Sequence, residues 1–448
     1  MRSAAMKPCV PTLAILAALA VVVFATTRDE PARPRSAAVD LIGSLGAPVT
    51  DPNGLSGRIA ALEAALAANP RDHASGIALA EALVRQSRVT GNGAFAARGE
   101  QRLRAALESD PGDYDAQRML GVVLLSLHRF DAALAAGERA RSMRPDDPFN
   151  YGVIGDGLLE LGRYQQAFEA FQRMVDMRPS AASYARVSYA QEIQGQLDAA
   201  LETMHRAANA TSPRDAEGLA WTLAQVGDLL LRLNRVSDAE ASYRRALAVF
   251  PGHPYALMGL AHVLAALGED NDAIANAAIL LQQAPSRRLA AFIGDLHARN
   301  RRPTDAERFY AMAEVIGRDT ASTDESLAGF LAERDRKLDE AVMLAERAAG
   351  RRQDVHTLDA LAWAYFRVGR VEEAAVAADR ATAVGTRERR VVLHAAAIKD
   401  ALGDTSAARA LAARAAPRDP DFDVFVAHQV PLALAASAGA AHPLWASR

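Results

Sequence analysis

The chain has 448 residues, 50% apolar and 23% charged, with 51 basic side chains against 54 acidic ones. That balance excludes a disordered chain, and it excludes the broad basic face that nucleic-acid binding normally uses. One cysteine excludes a disulfide scaffold and a thiolate zinc cluster.

Length by itself suggests about three ordinary domains. Aromatics are only 6% and alanine dominates the apolar set, which favours closely packed helices over sheets. At the N-terminus, Arg2 and Lys7 precede an apolar stretch from Thr12 to Ala25. The stretch suits the core of a signal peptide, ends on the small-residue pattern Val23-Phe24-Ala25, and is short for a bilayer span. Residues 1–25 are therefore read as a signal peptide or an uncleaved N-terminal anchor. Either reading sends the rest of the chain out of the cytoplasm, to the periplasm or to the outer side of an inner membrane. Cys9 precedes the apolar stretch, so it is no lipoprotein acceptor. Residues 26–55 carry Pro31, Pro34, Pro48 and Pro52 with Gly43, Gly46 and Gly54, which predicts a linker.

A helix from Leu55 to Asn69, ended by Pro70, comes next as half of a helix pair. A divergent pair follows over 72–111, with an expected loop from Arg88 to Gly93. Then the chain repeats. Pro111, Pro145, Pro179 and Pro213 are each 34 residues apart, as are Pro251 and Pro285, and 38 residues separate Pro213 from Pro251. A proline there ends one helix and its fixed φ suits the turn into the next. Units start near Tyr114, Pro148, Ala181, Ala220, Pro254, Arg287, Ser322, Val355 and Arg389. A small residue recurs at the eighth position and alanine at the twentieth, where two antiparallel helices must cross closely. Gly162, Gly195, Asn234, Gly268, Gly369 and Gly403 mark the turn inside each pair. Arg318, Gln353 and Thr386 stand where later units lack the proline, but Ala306, Ala341, Ala374 and Ala408 keep the register.

This period with these positions resembles the tetratricopeptide repeat. The runs Phe168–Asp176, Tyr184–Tyr189 and Leu361–Tyr365 are also similar to a group of bacterial tetratricopeptide proteins. The resemblance implies an all-α solenoid of about ten helix-turn-helix units over 56–421, wound as a right-handed superhelix. Residues 422–448 are left as a C-terminal cap or tail over the last pair.

No constellation for catalysis emerges. There is no P-loop, and Gly155-Asp156-Gly157 falls inside a helix, where it reads as close packing and not as a dinucleotide fingerprint. The ten histidines show no metal-ligand spacing. Asp110, Asp113 and Asp115 read as turn and cap residues, because no glutamate follows at calcium-loop spacing. The expectation is therefore no enzyme, no cofactor and no metal.

In the tetratricopeptide family the concave groove binds peptides or protein segments. The resemblance implies that positions 2, 5, 9, 12 and 13 of each unit face it. Here those positions hold Arg118, then Phe149, Asp156 and Glu160, then Tyr189 and Glu192, then Trp221, Asp228 and Arg232. Further along they hold Tyr255 and His262, Arg288 and Asp295, Phe330, then His356, Trp363 and Arg367. The lysine and asparagine clamp that some family members close on a C-terminal carboxylate is missing. The expected function is a non-catalytic scaffold of the bacterial cell envelope that holds a protein or peptide, without nucleic acid. It would meet a membrane only through an uncleaved N-terminal segment. The alternative is an accessory or assembly subunit of a membrane-bound envelope enzyme or export complex.

Overall fold

The structure is a computed structural model that describes residues 54–90, 92–319 and 324–426. The expected export segment and nearly all of the linker lie outside these residues. Among the described residues every regular element is a helix, and none is long and apolar enough to cross a membrane.

Helix α1 (Leu55–Ala68) opens the stack as the expected half-pair. The first pairs are α2 and α3 (His73–Thr90, Gly93–Ser109), α4 and α5 (Tyr114–Ser126, Phe130–Met143), and α6 and α7 (Pro148–Glu160, Tyr164–Met177). Next come α8 and α9 (Ala181–Ile193, Leu197–Ala210), α10 and α11 (Ala216–Arg232, Val236–Val249), and α12 and α13 (Pro254–Ala266, Asp270–Gln283). The last pairs are α14 and α15 (Arg287–Arg299, Pro303–Asp319), α16 and α17 (Asp324–Glu333, Leu338–Ala349), α18 and α19 (Val355–Arg367, Val371–Thr382), and α20 and α21 (Arg389–Ala401, Thr405–Arg414). A short α22 (Pro420–Val426) follows. From α1 to α21 each helix packs on the next, so the pairs form one continuous α-solenoid.

The two helices of a pair start differently. First helices carry side-chain caps: Asp113, Asp147, Ser180, Asp215, Ser286 and Asp354 each accept a backbone N–H of the opening turn. Most second helices follow a left-handed residue and lack such a cap, although Asn92 caps α3 and Asp404 caps α21. Gly162, Gly195, Gly268, Gly369 and Gly403 all have φ between 74° and 82°, and Asn234 has φ 62°. That conformation reverses the chain within two residues and suits glycine, which has no Cβ to clash.

Register positions eight and twenty are where the helices touch. Ala133, Ala167, Ala200, Ala239, Ala273, Ala341, Ala374 and Ala408 are fully buried, and Ala306 nearly so. A Cβ on Gly121 would come within 2.6 Å of Val153, and one on Gly294 within 2.6 Å of Tyr310. Gly155 presses on the Phe171 ring in the same way, so its packing role holds.

Two boundaries differ from expectation. α2 continues through Thr90, past the expected loop start at Arg88. Arg88 is held by Glu217 at 2.8 Å, and Thr90 Oγ1 donates to the Gln86 carbonyl. α10 starts at Ala216 and not at Ala220, with 17 residues against 13 in α8 and α12. The four extra residues between Pro213 and Pro251 are thus one additional helical turn. That turn carries Asp215 and Glu217 to Arg85 and Arg88 of α2.

These are contacts between successive coils of the superhelix. Tyr164 Oη accepts the Val355 N–H at 2.7 Å, 191 residues along the chain. Arg352 pairs with Glu160 at 3.3 Å, 192 residues away. The Arg418 N–H donates to the Arg232 carbonyl at 3.2 Å, and its guanidinium reaches Asn234, 184 residues away. One turn of the coil therefore spans five to six repeat lengths.

The start of the C-terminal segment reaches beyond the last pair, which it touches through Asp423 on Arg389 and Phe422 on His394 of α20. Within the described residues, α22 runs onto α12 and α14. It is drawn there because Asp421 meets His262 and Arg288 (below). Residues 427–448 lie outside the described residues.

Candidate partner-binding groove

Because the coils touch, the concave side of the array is walled on several sides. Two adjoining cavities lie there, of about 430 and 290 Å³. First helices α8, α10, α12, α14, α16, α18 and α20 supply most of their walls, as the repeat geometry requires.

Of the seventeen groove candidates from the sequence, twelve line these cavities, Glu160 and Arg288 among them. Tyr189, Glu192, Asp228, Arg232, Tyr255, His262, Asp295 and His356 wall the larger one. Phe330 and Trp363 wall the smaller one, with Tyr189 and His356 shared. Arg118, Phe149, Asp156, Trp221 and Arg367 line neither. Arg118 lies over the Phe149 ring at 4.5 Å and pairs with Asp147 at 3.6 Å. Asp156 is forked by Arg186 at 2.7–3.0 Å. Trp221 packs against the hydrophobic core. Phe330 and Trp363 are themselves buried, so they serve as core and wall at once.

The walls are ion pairs laid over aromatic rings. Arg334 forks Asp295 and also holds Glu333 at 2.9 Å, over the Phe330 ring at 4.7 Å. Arg390 joins Glu388 at 3.2 Å and Asp359 at 3.4 Å. Arg232 pairs with Glu192. Among the described residues Asp228 forms no ion pair; it accepts the Tyr243 hydroxyl at 2.6 Å and feels the Arg288 charge from further off. Burial pushes Asp228 up, with the Tyr243 hydrogen bond opposing. In the smaller cavity His394 Nδ1 lies 3.0 Å from Asp359, and the ring stacks on Trp363 at 3.9 Å. His394 Nε2 has no hydrogen-bond partner among the described residues, so this pair is not joined to a nucleophile.

Glu160 sits between Arg352 and Asp354. Burial first, then the Asp354 charge, pushes its carboxyl up to about 7 against the opposing Arg352. The unfolded chain titrates near 4.3, so between these values the folded state holds the extra proton. Stability is then expected to fall as pH rises through that window. Because Glu160 is partly exposed, the effect should be on the order of 1 kcal/mol and not the full linkage value. Thermal melts at pH 5 and pH 8 should show the slope, and Glu160→Gln should reduce it, with Asp295 and Asp423, also pushed up to about 6, keeping the remainder.

Several wall residues escaped the sequence reading. Asp359, Glu333, Arg334 and Arg390 occupy positions 5, 12, 13 and 2 of their units, so the same register would have found them. Asp419, Asp421, Phe422 and Phe425 lie past the last helix pair, and no register position points to them.

The tetratricopeptide repeat family model matches residues 94–148, 153–216 and 227–288. No curated protein sequence matches the chain. Among solved structures the chain is similar to human IFIT1, as a dimer with m7Gppp-AAAA, at 16% identity, covering 70% of this chain and 71% of that one with a TM-score of 0.48. It is similar to a tetratricopeptide repeat protein of Parabacteroides merdae at 17% identity, covering 56% and 97% with a TM-score of 0.40. It is also similar to TTC0263, a thermophilic TPR protein of Thermus thermophilus, at 28% identity, covering 45% and 99% with a TM-score of 0.35. The 34-residue period, ten stacked helix pairs, nine of them with a buried alanine at the twentieth position, and the family match over three stretches make one pattern, that of a tetratricopeptide repeat protein.

Proposed function

We propose that this protein is a non-catalytic scaffold of the bacterial cell envelope that holds a segment of a partner protein in the walled groove. The observation that carries the reading is the make-up of that groove. Arginines and carboxylates alternate over Tyr189, Tyr255, Phe292 and Phe330, the residue types that anchor protein segments. Across both cavities ten carboxylates stand against six arginines. That excess opposes a polyphosphate backbone and supports a protein partner over nucleic acid. The envelope location rests on Arg2, Lys7 and the apolar stretch to Ala25, which would carry the array across the inner membrane.

A photo-crosslinking residue placed at Tyr255, inside the groove, is expected to capture a discrete protein in cells. One placed at Val376, which is 62% exposed on α19, is not. Arg232→Ala should abolish the first adduct. Equal labelling from both positions, or labelling untouched by Arg232→Ala, overturns the groove reading. Fractionation of the same cells tests the location.

A further inference from the structure

The groove is already partly filled by the chain's own end. α22 lies across α12 and α14, and its side chains behave as a ligand's would. Asp421 accepts from Arg288 Nε at 2.6 Å and sits 2.9 Å from the buried His262 Nε2. Asp423 pairs with Arg389 at 2.9 Å. Phe422 is buried edge-on to the His394 ring at 5.3 Å, and Phe425 is buried 4.7 Å beneath the Arg334 guanidinium.

The pairing is asymmetric. Most groove arginines have carboxylate partners within the repeats: Arg232 has Glu192, Arg334 has Asp295, and Arg352 has Glu160. Arg288 and His262, and Arg389 beside the groove, form ion pairs only with α22 among the described residues, and the repeats offer Arg288 only the more distant charge of Asp228. Burial works against charge on Asp421, but Arg288 and His262 outweigh it and hold the carboxyl well below the usual range. The repeats therefore leave one cationic patch, flanked by an aromatic shelf, whose complement is an aspartate followed one and four residues later by phenylalanine.

We propose that α22 stands in for the partner, and that the groove recognises an acidic segment of the pattern Asp-Phe-x-x-Phe that binds by displacing it. This rests on the scaffold reading above and names the partner's chemistry. Although carboxylates predominate over the whole groove, most are neutralised in place, so the local patch decides what docks. An occupant in cis lowers the apparent affinity for a competitor by the fraction of molecules left open.

The test uses the full chain and a fluorescein-labelled peptide spanning Arg418–Val426. Wild-type protein should bind the peptide weakly, because its own α22 holds the site. A full-length Asp421→Asn, Phe425→Ala variant should bind it at least tenfold more tightly by fluorescence anisotropy. Adding Arg288→Ala to that variant, or Asp421→Asn to the peptide, should return binding to the wild-type level or below. Far-UV circular dichroism keeps the comparison to folded protein. A folded, released-tail variant that ignores the peptide, or takes it equally well without the aspartate, overturns the proposal. Loss of peptide binding with the Tyr255 crosslink intact would remove only the partner chemistry. Loss of both would remove the scaffold reading as well.

Discussion

Asp295→Ala is expected to destabilise the protein by about 3 kcal/mol, since breaking a buried pair leaves a charge without its partner. Asp295 and Arg334 side chains are only 2% and 8% exposed, and the Tyr310 hydroxyl also gives its hydrogen bond, 2.8 Å long, to Asp295. Removing the carboxylate leaves the guanidinium with Glu333 alone and strands a phenol. In a chain of 448 residues the melting temperature should drop by roughly 3–4 °C. The double change Asp295→Leu with Arg334→Met removes both charges and keeps the volume, so it should recover at least half of the loss. A double variant no more stable than Asp295→Ala would mean that the pair matters through its shape alone.

Gly227→Ala is expected to be nearly as severe, about 3 kcal/mol, although it adds one methyl group. The new Cβ would lie 2.5 Å from Tyr243 Cε1. That ring has nowhere to go: it is fully buried, Gly259 presses on it from the next unit, and its hydroxyl is tied to Asp228. Gly76 is the control. It also lies in a helix, but no atom stands within 4 Å of where its Cβ would be. Gly76→Ala should therefore stabilise by about 0.5–1 kcal/mol through helix propensity. Urea melts of the two variants should move in opposite directions. Equal shifts would rule out crossing distance as the reason for the small residue at position eight.

Those crossings were legible because each repeat states them locally and the chain states them many times. Ala133 and Ala408 are buried for the same reason, and the 34-residue period names both. The groove was legible to the extent that it follows the same register, which is how Tyr189, Asp228 and Asp295 were placed. Trp221 was misplaced because a register names a face and does not say where the coil closes over it. Closure sums a small rotation over five or six units, and no residue records it. The longer α2 has a similar origin, since Arg88 is held by Glu217, 129 residues away. α22 was the least legible element. Its position depends on Asp421 meeting His262 across 159 residues, in a stretch with no repeat signature.

The touching coils change what kind of solenoid this is. An open repeat array has contacts only between neighbours, so it can unravel one unit at a time from either end. Here the Tyr164–Val355 bond joins points 191 residues apart. Such a contact requires closing a long loop and belongs to a slower-folding topology than the local helix pairs do. A middle unit cannot open without disturbing the coil that lies against it, so melting gathers into fewer and larger steps. Pulled from its ends, the molecule would first resist where coil meets coil, before any helix pair came apart.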